Sequence, residues 1–193
     1  MTAIDDRNAG REGAADIGET VLAADWTQSA ISADEISPEL RPEVEDLGLL
    51  DNCQQLAREG WTVLENAIDP SFVTELRDVA LATEDMALLR QGGSLMELGK
   101  HPAYAETIIH PKVMALAKFS VGQGCLLYAQ TLTIRGKGSP ALGLHCDQAM
   151  FPVPLPEHNM LLTACWVLDD FSEAGGATCI LPGSGRFRRP PTA

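Results

Sequence analysis

The chain has 193 residues, 45% of them hydrophobic, which is enough to bury one core of ordinary size, so we expect one globular domain. A formal net charge of −13 argues against nucleic acid as a partner, because binding to phosphates needs clustered Lys and Arg. The sequence has neither a secretory signal nor an apolar run of membrane-spanning length, so we expect no membrane partner either.

The acidic residues concentrate at the N-terminus. Residues 1–50 contain twelve Asp or Glu against three Arg, and they contain few large apolar side chains. Such a segment buries too little surface to offset the entropy of ordering it. We therefore predict a flexible acidic extension over residues 1–46 and a folded domain over 47–193, with a solvated acidic helix as the alternative for the extension.

The five cysteines form no C-x-x-C pair, and their number is odd. This pattern indicates reduced, mostly buried thiols in a cytoplasmic protein. The cysteines are Cys53, Cys125, Cys146, Cys165 and Cys179.

Apolar residues recur at helical spacing in three places in the first part of the domain. The first helix is predicted to start near Leu47 and to stop at Gly60, and a short strand follows over residues 61–64. Asp69 before Pro70 predicts a capped helix that runs to about Leu89. A further short helix is predicted over residues 112–119, after Pro111.

After Gly124 the pattern becomes that of β-strands, separated by Gly, Pro, Asn and Asp. Helices followed by strands predict an α+β domain built on a sandwich or jelly roll. The predicted strands are residues 125–134, 142–147, 160–168 and 177–181.

The tripeptide His145-Cys146-Asp147 lies in one of these predicted strands. Side chains two apart in a strand point to the same face, so we expect His145 and Asp147 to converge while Cys146 points away. An imidazole and a carboxylate are two of the three ligands of the 2-His-1-carboxylate iron site. The alternative is a His that is simply hydrogen-bonded to its neighbour.

Two longer stretches resemble the phytanoyl-CoA dioxygenase family. One is ACWVLDDFSEAGGATCILPGSGRF, from Ala164, and the other is REGWTVLENAIDPSFVTELR, from Arg58. The resemblance covers residues 47–190 and keeps the family's order of motifs around H-x-D. It implies a double-stranded β-helix, a cupin-like jelly roll, with N-terminal helices.

The resemblance also implies cofactors and a function. Fe(II) and 2-oxoglutarate would bind inside the jelly roll, with His145 and Asp147 as metal ligands and with Trp166, Gln130 and Gln148 in the cofactor pocket. For Trp166 the alternative is a plain core aromatic residue, and for the two Gln it is a surface amide. The expected reaction is hydroxylation of a small organic substrate, and halogenation is excluded because the related halogenases have a small residue in place of Asp147.

The sequence departs from the family in one respect. The family's second His ligand and its 2-oxoglutarate-binding Arg come well downstream of Pro-Gly-Ser, whereas this chain ends at Ala193 with no His after His158. We therefore expect a domain that is incomplete at its C-terminus and has slight activity alone. The alternative function is a non-catalytic jelly-roll binding module or an inactive fragment, and the sequence determines neither the substrate nor the oligomeric state.

Overall fold

The computed structural model describes residues 35–82, 96–135 and 138–191, which all belong to one compact unit, Ile31–Ala193. The described residues form five α-helices and two short 3₁₀ helices. The α-helices are α1 (Arg41–Asp46), α2 (Leu50–Glu59), α3 (Pro70–Leu81), α4 (Pro102–Ile108) and α5 (Pro111–Val121), and the 3₁₀ helices are Asp147–Met150 and Ser184–Phe187.

Local signals explain where α2 and α3 begin and end. The carboxylate of Asp69 accepts a hydrogen bond from the backbone N–H of Ser71 at 2.8 Å, as a helix N-cap does, and Pro70 is the first helical residue. Gly60 ends α2 in the left-handed conformation, with φ 80°, which a glycine adopts without strain. Both signals were predicted from the sequence and are confirmed. However, α3 ends at Leu81 rather than near Leu89, and residues 83–95 lie outside the described part.

The first core forms between α1, α2 and α5. It contains residues from the segment that was predicted to be a flexible extension, since Ile36, Leu40 and Val44 are almost completely buried. The prediction that folding begins near Leu47 is therefore wrong for residues 36–46. Leu40 and Val44 are one helical turn apart at the start of α1, so they share a face, and Ile36 packs with them on the same core despite the surrounding acidic residues. The other buried members are Leu49, Cys53, Leu56, Ala115 and Leu116.

A second core forms between α3 and α4. Leu76 of α3 packs against Ala103 and Tyr104 of α4, a helix that the sequence analysis did not predict. His101 caps α4 by accepting a hydrogen bond from the backbone N–H of Ala103 at 3.2 Å. His110 occupies the same place before α5, so both His-Pro pairs lie at helix boundaries.

The C-terminal part differs from the strand prediction. Within the three described ranges no named strand is formed, and the bridge seen there is a parallel one between Met96 and Gln130. Large apolar side chains along the predicted strands are exposed, including Leu126, Tyr128, Leu142 and Leu144. A strand is stabilised by backbone partners on another segment, so an apolar alternating pattern does not form one alone.

All five cysteines are free thiols, in agreement with the prediction of reduced cysteines. The prediction that most of them are buried is wrong, because Cys53 is buried whereas Cys165 and Cys179 are exposed. In the described part of the chain, none of the helices has the length and apolar character needed to cross a membrane.

Candidate metal centre

His145 is held in a defined orientation by its own loop. Its Nδ1 lies 2.9 Å from the backbone oxygen of Gly143. A carbonyl oxygen only accepts hydrogen bonds, so Nδ1 must carry the proton. In the neutral ring, Nε2 then has a free lone pair, which is the form in which histidine binds metals.

Asp147 presents one oxygen to this lone pair and uses the other for anchoring. Its Oδ2 accepts a hydrogen bond from the hydroxyl of Thr163 at 2.6 Å, and its Oδ1 lies 3.5 Å from Nε2 of His145. The two side chains are 61% and 51% exposed, so the pair is open to solvent. If the imidazole of His145 is protonated, its contact with Asp147 is an ion pair. If the imidazole is neutral, Nε2 of His145 and Oδ1 of Asp147 can both donate a lone pair to a metal ion.

The backbone brings the two side chains together in a different way from that predicted. Cys146 is extended, with φ −127° and ψ 127°, but Asp147 begins a 3₁₀ helix in which Ala149 N–H donates to the carbonyl of Cys146 at 3.0 Å. The prediction of a strand through Asp147 is therefore wrong. His145 and Asp147 still lie on the same side, because the one residue between them is extended and places its neighbours on the same side.

The segment 160–165 runs alongside the pair. The side-chain oxygen of Gln148 accepts a hydrogen bond from the backbone N–H of Met160 at 2.7 Å, close to the contact between Thr163 and Asp147 in the chain. Cys165 is exposed as a residue, but partial burial of its thiol, and then the negative charge of Asp147, raise the pKa of that thiol. Thr163 therefore contacts Asp147 directly, and Cys165 lies near enough to be affected by its charge. Neither residue was identified from the sequence.

Trp166 lies on the opposite side of this segment. Its ring meets the ring of His110 edge-on, with centroids 5.3 Å apart and an interplanar angle of 74°. The Nε2 of His110 donates a hydrogen bond to the backbone oxygen of Ala67 at 2.9 Å, which ties the aromatic pair to the segment before α3. Trp166 thus joins the metal-site segment to the helical region, as a core aromatic residue does.

The second predicted glutamine lies against α4. The amide nitrogen of Gln130 donates to the carbonyl oxygen of Tyr104 at 2.8 Å and to the hydroxyl of Thr107 at 2.9 Å. Because Tyr104 offers a carbonyl there, the nitrogen and not the oxygen of the amide must face α4. The amide oxygen of Gln130 is buried without a hydrogen-bond partner in the structure.

His158 and two Arg residues near the C-terminus lie in other contacts. His158 is exposed in its Pro-rich loop. Arg186 donates to the backbone oxygen of Arg58 at 2.8 Å, at the end of α2. Arg188 donates to the backbone oxygen of Leu155 and to the carboxylate of Glu157, so it stabilises the fold of that loop.

His145 and Asp147 fit a metal ion in donor type and separation. Metal–ligand bonds to imidazole nitrogen and carboxylate oxygen are about 2.1 Å long, so two ligands of one ion lie at most about 4.2 Å apart. The observed 3.5 Å is within that limit. Over residues 35–82, 96–135 and 138–191, no group of three or more His, Cys, Asp or Glu is arranged to hold a metal, so a three-residue site is not formed within these ranges.

A known protein family matches most of this chain. The family model described as phytanoyl-CoA dioxygenase matches residues 56–191, a range that contains His145, Asp147, Thr163 and most of the helical region. No solved structure matches the chain significantly. Because the family model covers well over half of the sequence, the chain belongs to the phytanoyl-CoA dioxygenase family.

Proposed function

We propose that this chain is an Fe(II)- and 2-oxoglutarate-dependent dioxygenase that hydroxylates a small organic substrate. The observation that carries the proposal is the His145–Asp147 pair, whose facing atoms are 3.5 Å apart and whose outer atoms are both hydrogen-bonded. The family match supports it, because phytanoyl-CoA dioxygenases are generally oxygenases that use iron and 2-oxoglutarate.

The pair has the chemistry that Fe(II) needs from a protein. The Nε2 of His145 and the Oδ1 of Asp147 would hold the ion, with a neutral and an anionic donor. When bound with 2-oxoglutarate, Fe(II) supplies the activation of O2, in which one oxygen atom enters succinate as CO2 is released and the other enters a substrate C–H bond. The carboxylate of Asp147 also partly neutralises the charge of the ion.

The chain's own residues orient the two donors before any metal binds. The carbonyl of Gly143 selects the ring form in which Nε2 is free, and the hydroxyl of Thr163 keeps Oδ2 of Asp147 turned away from it. Partners of this kind raise affinity by fixing the geometry of the ligands. The exposure of both donors leaves their metal-facing side open to the cofactor and the substrate.

The cofactor-binding roles of Trp166, Gln130 and Gln148 are further parts of the proposal. Gln148 directly follows Asp147 in the chain, and its side-chain oxygen accepts a hydrogen bond from the backbone N–H of Met160, which supports a position near the pair. Trp166 follows Cys165 on the segment that faces the pair, although its ring contacts His110. Gln130 is held by α4, and its unpartnered buried oxygen is the group with which it would meet a ligand.

The fold that we propose for this activity is the α+β double-stranded β-helix. The four apolar runs after Gly124 would be its strands, and the helices α1–α5 would cover one side. Extended backbone at Cys146 and the hydrogen bond from Thr163 to Asp147 support this assignment. The free thiols support a reducing, cytoplasmic compartment.

The proposal is tested by succinate release from 2-oxoglutarate in the presence of O2 and ascorbate, with and without added Fe(II). We expect slight succinate formation that requires iron and that falls to the level of the buffer control in Asp147→Ala, since losing a ligand costs more than losing one of its hydrogen-bond partners. Circular dichroism should show the same helix content in this variant, because Asp147 is half-exposed.

The competing hypothesis is a non-catalytic module that keeps the fold without the chemistry. It is favoured by a result in which the folded, iron-loaded protein forms no succinate above the buffer control. Succinate formation that is unchanged in Asp147→Ala would show instead that another carboxylate binds the metal.

A further inference from the structure

We propose that Thr163 is a positioning residue that holds the carboxylate of Asp147 in the orientation in which it binds a divalent metal. The inference rests on the proposed function, since it assigns a task to a residue beside that metal pair. It starts from the hydrogen bond of 2.6 Å that the Thr163 hydroxyl donates to Oδ2 of Asp147.

The length of this hydrogen bond indicates that it is strong. Bonds from a hydroxyl to an ionised carboxylate are typically about 2.5–2.7 Å long and about twice as strong as bonds between neutral groups. The observed distance falls in that range. A carboxylate otherwise rotates freely about its last bond, so holding Oδ2 also fixes the direction of Oδ1.

The direction in which Oδ1 is fixed is the one that matters for a metal. With Oδ2 held by Thr163, Oδ1 faces Nε2 of His145 at 3.5 Å. His145 is held in a corresponding way, because its outer nitrogen Nδ1 is bonded to the carbonyl of Gly143 at 2.9 Å. In each of the two side chains, therefore, one atom is hydrogen-bonded to the protein, and another atom faces the other side chain of the pair.

A further contact helps to place Thr163 beside Asp147. The side-chain oxygen of Gln148, the residue after Asp147, accepts a hydrogen bond from the backbone N–H of Met160 at 2.7 Å. Two consecutive residues, Asp147 and Gln148, are therefore hydrogen-bonded to the segment 160–163, which fixes the position of Thr163 relative to Asp147.

Substitutions at position 163 separate the hydroxyl from the shape of the side chain. Thr163→Val keeps the branched shape and removes the donor, whereas Thr163→Ser keeps the donor and removes a methyl group. A matched control is Thr74→Val, since the Thr74 hydroxyl bonds to the carbonyl of Pro70 at 3.0 Å within α3. Should the valine variant not fold, Thr163→Ala compared with Thr163→Ser isolates the same hydroxyl.

The experiment is a titration of the purified 193-residue chain with Co²⁺, a spectroscopic probe for Fe(II) sites, read by visible absorption. We expect Thr163→Val to bind Co²⁺ about 10-fold more weakly than the unmodified chain, and Thr163→Ser and Thr74→Val to bind within about twofold of it. In an Asp147→Ala background, Thr163→Val should cause no further loss, because the carboxylate that it orients is gone.

The outcomes distinguish this inference from the proposed function. If Asp147→Ala and His145→Ala weaken Co²⁺ binding but Thr163→Val does not, the role of Thr163 is overturned and the metal pair stands. Equal losses in the valine and serine variants would also overturn it, because they would reflect packing. If the unmodified chain binds no Co²⁺, or if removing His145 and Asp147 has no effect, both ideas fail together.

Discussion

The helical region, residues 35–82 and 96–121, and the C-terminal region, residues 125–135 and 138–191, differ in how their residues are covered. In the helical region apolar side chains from α1, α2 and α5 form a closed core, whereas among the described residues after Gly124 only Leu132 and Leu155 are buried apolar side chains. A helix satisfies its backbone within a few residues, but a strand depends on partners far along the chain. The metal pair lies in the second region.

The difference between the two regions shows how His145 and Asp147 are held in a part of the chain where few apolar side chains are buried. His145 and Asp147 are fixed by hydrogen bonds to Gly143 and Thr163, and Gln148 joins their loop to Met160. These contacts are polar and partly exposed, so they orient the donors without covering them. The contact between the rings of Trp166 and His110 connects this part of the chain to the helical region.

The two regions should differ most in how much the free energy of unfolding falls when a leucine side chain is removed. Leu49 is 1% exposed in the first core, so Leu49→Ala should lower the free energy of unfolding by about 2–5 kcal/mol. Leu126 is 92% exposed, so Leu126→Ala should change it by less than about 0.5 kcal/mol. Urea unfolding followed by circular dichroism measures both.

If Leu126→Ala lowered the free energy of unfolding nearly as much as Leu49→Ala, the stated difference between the two regions would be contradicted. It would mean that residues 125–134 are covered in solution, as strands of a closed jelly roll are. A small cost at Leu49 would contradict the assignment of the first core instead.

The second prediction concerns alkaline pH and Cys53, which lies in the first core. Burial raises the pKa of the Cys53 thiol from its ordinary 9.0 to about 11. Because the folded state binds this proton more tightly than the unfolded state, its contribution is complete below pH 9 and is lost as the pH rises from 9 to 11. The loss should be about 2–3 kcal/mol in the free energy of unfolding.

This prediction is checked by comparing pH profiles, since other groups also titrate in this range. Cys53→Ala should be less stable at all pH values but should lose less stability between pH 9 and 11 than the unmodified chain. The matched variant at an exposed thiol, Cys179→Ala, should leave the profile unchanged. Identical profiles for all three proteins would contradict the burial of an un-ionised thiol at position 53.

The smallest expected effect is that of two ion pairs. Lys118 of α5 contacts Glu43 of α1 at 2.8 Å inside the helical region, and Arg77 contacts Asp169 at 3.5 Å across the two regions, with greater exposure. Lys118→Met should lower the free energy of unfolding by about 0.5–1 kcal/mol, and less at high salt, whereas Arg77→Met should change it by less than about 0.5 kcal/mol. A larger effect at Arg77 would show that the regions are joined more strongly than their contacts suggest.

The same difference between the regions explains which features the sequence could predict. The cap at Asp69-Pro70 and the stop at Gly60 depend on neighbouring residues, so they were predicted correctly. Ile36, Leu40 and Val44 carry a four-residue spacing, but the acidic composition around them concealed it. The location of that core depends on α5, which is far away in the chain.

At the candidate metal site, the sequence predicted that His145 and Asp147 converge but not the way in which they are held. Their spacing predicted the convergence, which the extended Cys146 produces, but not the 3₁₀ helix that begins at Asp147. The hydrogen bond from Thr163 to Asp147 depends on how separate segments meet, which local patterns do not determine.

The central claim is that His145 and Asp147 together hold Fe(II), and the most direct test is anaerobic titration of the chain with Fe(II) and 2-oxoglutarate, followed by visible absorption. Chelation of iron by the keto acid produces a charge-transfer band. We predict this band for the unmodified chain and for His158→Ala, and its loss in both His145→Ala and Asp147→Ala. A band that persists without His145 and Asp147, or one that disappears with His158 alone, would contradict the account.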